Sequence, residues 1–121
     1  MSQIPKGKLY LIPAPLGEAG LESIPAAALA VLRRLDVFIV ERAKTARHYL
    51  KAAGPARPLP ELEIHELEER MNGQDAAALL APAEQGRDVG LMSEAGCPGV
   101  ADPGAAVVRI AHRRGIEVVP L

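Results

Sequence analysis

The densest chemistry-bearing pattern in the chain is Ser93-Glu94-Ala95-Gly96-Cys97-Pro98-Gly99-Val100-Ala101-Asp102-Pro103-Gly104. Three glycines and two prolines fall within these twelve residues. Such a segment exposes backbone N–H and C=O groups in place of bulky side chains, which suits a ligand with many hydrogen-bonding edges and little net charge. A second candidate is Pro13-Ala14-Pro15-Leu16-Gly17. Its two prolines hold the backbone extended, and Gly17 permits a close approach or a positive φ. The third is Glu41-Arg42-Ala43-Lys44-Thr45-Ala46-Arg47. Glu41 offers a carboxylate that could serve as a base. The cations behind it either meet an anionic substrate or form the local ion pairs of a solvated helix start.

Other chemistries find little support. The single cysteine, Cys97, excludes an intrachain disulfide and any thiolate zinc site built within one chain. No histidine lies at a spacing that would activate it as a nucleophile. His48, His65 and His112 are widely separated in sequence and show no metal-ligand spacing, so no metal is expected. Neither G-x-G-x-x-G nor G-x-x-x-x-G-K-[ST] occurs, which disfavours a nucleotide held by its phosphates. With 14 Lys plus Arg against 15 Asp plus Glu, the net charge is −1, which argues against an all-over basic surface but not against a local one. Trp is absent and aromatics make up 2%, so the stacking platforms that grip single-stranded nucleic acid are missing. The core must be built from Ala, Leu, Val and Ile. No apolar run reaches the roughly 20 residues that span a bilayer, and Met1 to Gly7 is too polar for a signal peptide, so a soluble cytoplasmic protein without membrane contact is expected.

The elements that must position the three candidates follow from hydrophobic patterning. Five short apolar runs read as strands: Leu9–Ile12, Val37–Val40, Leu62–His65, Val89–Met92 and Ile116–Val119. The first two are apolar throughout, as expected of strands covered on both faces. The third alternates and belongs nearer an edge. Strand starts fall 25 to 28 residues apart, the spacing of βαβ units. The first helix is expected to start with Ser23 as its cap and Pro25 in its first turn, placing Ala28, Leu32 and Leu35 on one face. A second runs from Ala43 to Ala53 and is stopped by Gly54 and Pro55. A third runs from about Gln74 to Gln85, with Pro82 inside it as a kink or a break. The fourth is expected to have Asp102 as its N-cap and Pro103 at its first position, with Val107, Ile110 and Ala111 on one face and Gly115 at its end. Alternation of strand and helix predicts an α/β fold: a mainly parallel five-stranded sheet with helices on both faces. All three candidate segments then follow strands, where open α/β sheets bind ligands.

Taken together, the segments Gly7-Lys8-Leu9-Tyr10-Leu11-Ile12-Pro13-Ala14-Pro15-Leu16-Gly17 and Ser93 to Gly104 resemble those of the tetrapyrrole (corrin/porphyrin) methylase superfamily. Within it, the resemblance is nearest to the small-subunit ribosomal RNA methyltransferase branch. The second segment is similar to that family's S-D-A-G-T-P-G-I-S-D-P-G loop, with Glu94, Cys97, Val100 and Ala101 as departures. Of the branch's E-D-T-R motif the chain keeps Glu41 and departs at Arg42-Ala43-Lys44-Thr45. The resemblance implies an S-adenosylmethionine-dependent methyltransferase of two α/β domains, usually a homodimer, with the cofactor folded in the cleft between the domains. It implies cofactor contacts from Pro15 and Gly17 and from Ser93, Glu94, Ala95, Gly96, Val100 and Ala101, mostly through backbone groups. It also implies a methyl acceptor that is either an RNA ribose hydroxyl or a tetrapyrrole-type substrate, with Glu41 as the candidate catalytic base. On this reading residues 1–121 are an N-terminal domain and the C-terminal domain is not in this chain.

Two rivals keep the same element order. A receiver-like signalling domain would need clustered aspartates at strand ends, whereas the first strand here leads into Pro13-Ala14-Pro15. A non-catalytic α/β ligand-binding module would not need the Gly/Pro-rich segment that follows the fourth strand.

Overall fold

The computed structural model describes residues 5–12, 25–67, 73–92 and 104–121. The order of elements is β1 (Leu9–Ile12), α1 (Ala26–Arg34), β2 (Val37–Val40), α2 (Ala43–Ala53), β3 (Glu63–Glu66), α3 (Gly73–Leu79), α4 (Ala81–Glu84), β4 (Val89–Met92), α5 (Gly104–Arg113) and β5 (Val118–Pro120). A short 3-10 turn, Leu59–Glu61, precedes β3. Every pairing in the sheet is parallel, and the strand order is β3-β2-β4-β1-β5.

The period-two alternation of strand side chains divides the core into two layers. Tyr10, Ile12, Phe38, Val40 and Met92 face one side and pack on α1 and α2 through Ala28, Leu32, Tyr49 and Leu50. Leu9, Val37, Ile39, Val89 and Leu91 face the other and pack on α3, α4 and α5 through Ala76, Leu80, Ala83, Val107 and Ala111. The central strands β2 and β4 are buried along their whole length. That is why they read as continuous apolar runs rather than alternating ones. Gly90 fills the tightest point of the first layer: a Cβ there would lie 2.6 Å from Ile12 Cδ1 and 3.1 Å from both Leu35 Cδ1 and Phe38 Cδ1.

The expected elements form, with local differences that have physical causes. Helix α2 spans Ala43–Ala53 as predicted, and Gly54 ends it at φ 74. The expected third helix is two pieces, α3 and α4, broken at Leu80. Pro82 has no N–H to donate and its ring crowds the preceding turn, so the chain restarts with Pro82 in the first turn of α4. Strand β3 begins at Glu63 because the Leu62 N–H is already donated to Leu59 O in the 3-10 turn. Strand β5 begins at Val118 because Ile116 is held by the end of α5. Its N–H donates to Ala111 O at 2.9 Å while the Gly115 N–H donates to His112 O, and Gly115 takes φ 71. This is the Schellman pattern. Strand β3 is an edge, paired only with β2, as its alternation predicted. Helix α1 begins at Ala26 with Pro25 as its N-cap, so Pro25 stands before the first turn and Ser23 is not the cap; Asp102 and Pro103 lie outside the described residues.

Charge is concentrated at the amino-terminal edge of the sheet. Asp36 meets Arg87 at 3.3 Å and Arg57 at 3.6 Å, Glu63 meets Arg87 at 3.0 Å, and Asp88 meets Arg34 at 3.0 Å. Lys8–Glu117 and Arg114–Glu84 extend the belt. Arg34 also donates to the Tyr10 hydroxyl and lies over its ring. The hydrogen bond to Asp88 holds the Arg34 guanidinium above its ordinary pKa. Exposed pairs of this kind are worth at most about 1 kcal/mol each. Their placement stitches the strand starts together and leaves the opposite, carboxyl edge for other work.

The strand order also decides one rival. A receiver-like domain has the order 2-1-3-4-5. Here β4 lies between β2 and β1, so the chain is not built on that plan.

Candidate functional site

Crossover direction locates the crevice. The chain moves outward from β1 to β2 to β3 with α1 and α2 on one face. It returns from β3 to β4 to β5 with α3, α4 and α5 on the other. Strand β4 therefore leads to a helix on one face, while both of its neighbours, β2 and β1, lead to helices on the opposite face. Where neighbouring strands send their connections to opposite faces, a gap opens beyond the carboxyl ends, and ligands of open α/β sheets bind there.

The strands that precede the three candidate segments end at this gap. Ile12 is in register with Met92, and Met92 with Val40. Their successors in the chain are Pro13, Ser93 and Glu41. Residues far apart in sequence thus leave the sheet from three adjacent strands, about 10 Å from first to third at the usual strand spacing. Ile12, Val40 and Met92 are buried. Their side chains belong to the core layer packed on α1 and α2, and a carboxylate stands beside the strand ends.

That carboxylate belongs to Glu41, the one predicted site residue within the described part. It is half-buried, and its backbone N–H donates to Met92 O at 3.3 Å, which ties the end of β2 to the end of β4. The other predicted site residues, Pro15, Gly17, Ser93, Glu94, Ala95, Gly96, Val100 and Ala101, lie outside the described residues, as does Cys97. Among the described residues no group of three or more His, Cys, Asp or Glu could hold a metal, and no helix is long and apolar enough to cross a membrane.

One residue of this edge escaped the sequence reading. Glu66, the last residue of β3, accepts a 2.7 Å hydrogen bond through Oε2 from the Ala43 N–H at the start of α2. The N-cap of α2 is Arg42, whose side chain caps nothing, and the first turn of α2 holds no acid. Glu66 supplies both the missing acceptor and the negative charge favoured at a helix N-terminus. The only signal for it was indirect: a helix start with no cap of its own must be satisfied from elsewhere. Replacing Glu66 with Ala is expected to cost about 1 kcal/mol. Urea denaturation measures this, and a midpoint equal to the wild type's would show that the contact contributes nothing.

Beneath this edge, Tyr49 of α2 faces the core, and burial pushes its hydroxyl up to about 12. It stays protonated across the physiological range, so it is not a base for chemistry at the rim.

Comparison with known proteins gives the family. The model of the tetrapyrrole (corrin/porphyrin) methylases matches residues 8–120. Similar proteins include the ribosomal RNA small subunit methyltransferase I of Leptospira biflexa, 34% identical over 96% of this chain and 45% of that protein. Another is the protein of that name from Escherichia coli O157:H7, 35% identical over 96% of this chain and 38% of that protein. The one from Halalkalibacterium halodurans is 31% identical over 96% of this chain and 38% of that protein. The chain spans less than half the length of these relatives. It belongs to the tetrapyrrole methylase family.

Proposed function

We propose that this tetrapyrrole methylase domain is one half of a homodimeric, S-adenosylmethionine-dependent methyltransferase whose acceptor is a ribose hydroxyl of small-subunit ribosomal RNA. The observation that carries the reading is the convergence of the β1, β4 and β2 carboxyl ends at the crossover reversal, in a chain of this family. The relatives' names point to the RNA.

The gap at the carboxyl ends of β1, β4 and β2 is where the cofactor would lie, and Glu41 offers the one carboxylate that follows one of these strands directly. Pro15 and Gly17 after β1, and Ser93, Glu94, Ala95, Gly96, Val100 and Ala101 after β4, are the residues that would hold it, chiefly through backbone groups. When bound, S-adenosylmethionine supplies an electrophilic methyl group on a sulfonium. The chain's part is to hold acceptor and donor in line and to exclude water from between them. Glu41 would take the proton from the attacking hydroxyl, so that the new C–O bond forms without a protonated ether.

Calorimetry with S-adenosylmethionine and with S-adenosylhomocysteine on the intact protein tests the cofactor. At ligand a hundredfold above Kd, the folded state is expected to gain about 2.7 kcal/mol and melt several degrees higher. No heat and no thermal shift would overturn the reading. With methyl-labelled cofactor, label is expected in 2′-O-methylated nucleosides of small-subunit RNA; label in a tetrapyrrole would replace the acceptor.

A further inference from the structure

The exposed face of α2 carries a stripe of basic side chains. Lys44, Arg47, His48 and Lys51 fall at i, i+3, i+4 and i+7, which stacks them along one side of the helix. All four are exposed, while Ala46, Tyr49, Leu50 and Ala53 turn to the core. Residues 42–51 carry four cations, Arg42, Lys44, Arg47 and Lys51, and no acid, in a chain whose net charge is −1.

The contrast with the amino edge is direct. There Lys8, Arg34, Arg57, Arg87 and Arg114 are each paired with a carboxylate. Among the described residues, Lys44, Arg47 and Lys51 have no such partner. Helix electrostatics explain only Lys51, which sits in the last turn of α2. His112 and Arg113 of α5 sit in its last turn, where the dipole favours cations. Lys44 sits in the first turn of α2, where the dipole disfavours cations, and the carboxylate at that helix start, Glu66, is engaged by the Ala43 N–H. Three exposed cations on one side of a helix, none of them ion-paired among the described residues, fit an external anion.

We propose that α2 is a docking surface for an RNA phosphodiester backbone, with Lys44, Arg47 and Lys51 each meeting a phosphate. The proposal rests on the RNA acceptor inferred above and adds the surface that holds it. Seven residues at 1.5 Å each separate Lys44 from Lys51 by about 10 Å along the axis, a run of phosphates rather than one anion. The stripe starts at the sheet's carboxyl edge, because α2 begins two residues after Glu41, so RNA lying along it is led to the rim. A membrane is the poorer fit. An interfacial helix offers its apolar face to lipid, and here that face is spent on the core, with Leu50 fully buried.

The test is the variant Lys44→Gln/Arg47→Gln/Lys51→Gln in the intact protein, titrated by fluorescence anisotropy against labelled small-subunit ribosomal RNA over a salt series. RNA binding is expected to weaken at least about tenfold at low salt, and the slope of log K against log salt to shrink by about 2, at roughly 0.7 per single-strand phosphate contact. S-adenosylmethionine binding and melting temperature are expected to stay at wild-type values, and Arg109→Gln/Arg113→Gln on α5 to leave RNA binding unchanged. Wild-type RNA affinity and salt slope in the triple variant would overturn the docking surface while leaving the methyltransferase reading intact. Failure of the wild type to bind both RNA and S-adenosylmethionine would overturn both. Loss of binding to anionic lipid vesicles, with RNA binding kept, would assign the stripe to a membrane and overturn the proposal.

Discussion

Replacing Gly7 with Ala is expected to destabilise the protein by about 3 kcal/mol or more, lowering the melting temperature by about 10 °C. Gly7 lies just before β1 and is buried, and its N–H donates to Ala83 O at 2.7 Å. A Cβ there would lie 2.0 Å from Arg87 O, 2.3 Å from Arg87 C and 2.9 Å from Asp88 N. All three are backbone atoms, so no rotamer change relieves the clash. The backbone they belong to is itself held. Arg87 N–H donates to Pro82 O and Gly86 N–H to Ala83 O, with Gly86 at φ 96 closing the end of α4. The methyl can be housed only by parting the start of β1 from the turn before β4. That forfeits the Gly7–Ala83 bond and the 2.8 Å bond from the Lys8 N–H to Asp88 Oδ1. Gly54→Ala is the control, since Gly54 has φ 74 and nothing within 4 Å of its Cβ position. Only left-handed backbone strain acts there, about 1 kcal/mol. Thermal melts of the two variants decide the matter: a Gly7→Ala protein as stable as Gly54→Ala would refute the steric account.

Gly7 illustrates which parts of the molecule were legible in the sequence. It stands in the segment that carries the family resemblance, yet its constraint is the close approach of Arg87, eighty residues away in the chain. Features decided within a few residues could be read directly. Gly54 and Gly115 end their helices in the left-handed region, and Pro82 breaks one. Strand positions were readable where both faces are covered, and drifted by one or two residues at β3 and β5. There a 3-10 turn and a Schellman cap claim the N–H that would have started the ladder.

Strand order was out of reach, because it depends on which crossovers the chain makes and not on any local pattern. Yet the order is what sets β4 between β2 and β1 and brings Ile12, Val40 and Met92 to the edge of one gap. The Glu66 contact to α2 and the ion-paired amino edge were hidden for the same reason. Each joins residues that only the finished sheet makes neighbours. The basic residues after Glu41 were visible, but either of two readings suited them. The structure adds that Lys44, Arg47 and Lys51 are exposed along one side of α2 and have no ion pair among the described residues.

The second large effect is expected at Glu41. Glu41→Gln keeps the shape of the side chain and removes its ability to accept a proton fully. If this carboxylate is the base for the attacking hydroxyl, kcat for methyl transfer is expected to fall 10²- to 10⁴-fold, the usual contribution of a positioned general base. KM for S-adenosylmethionine is expected to stay within about twofold, because an interaction made only in the transition state leaves ground-state binding alone. The fold should tolerate the change. The backbone hydrogen bond from the Glu41 N–H to Met92 O does not involve the side chain, so the substitution leaves it in place. Circular dichroism and a thermal melt confirm that the variant is folded. Single-turnover methylation of the RNA acceptor by wild type and variant then separates the possible roles. A drop in kcat with KM preserved supports the base. A rise in KM at constant kcat would make Glu41 a binding residue. Wild-type rates in the variant would show that the proton leaves by a route that does not pass through this strand end.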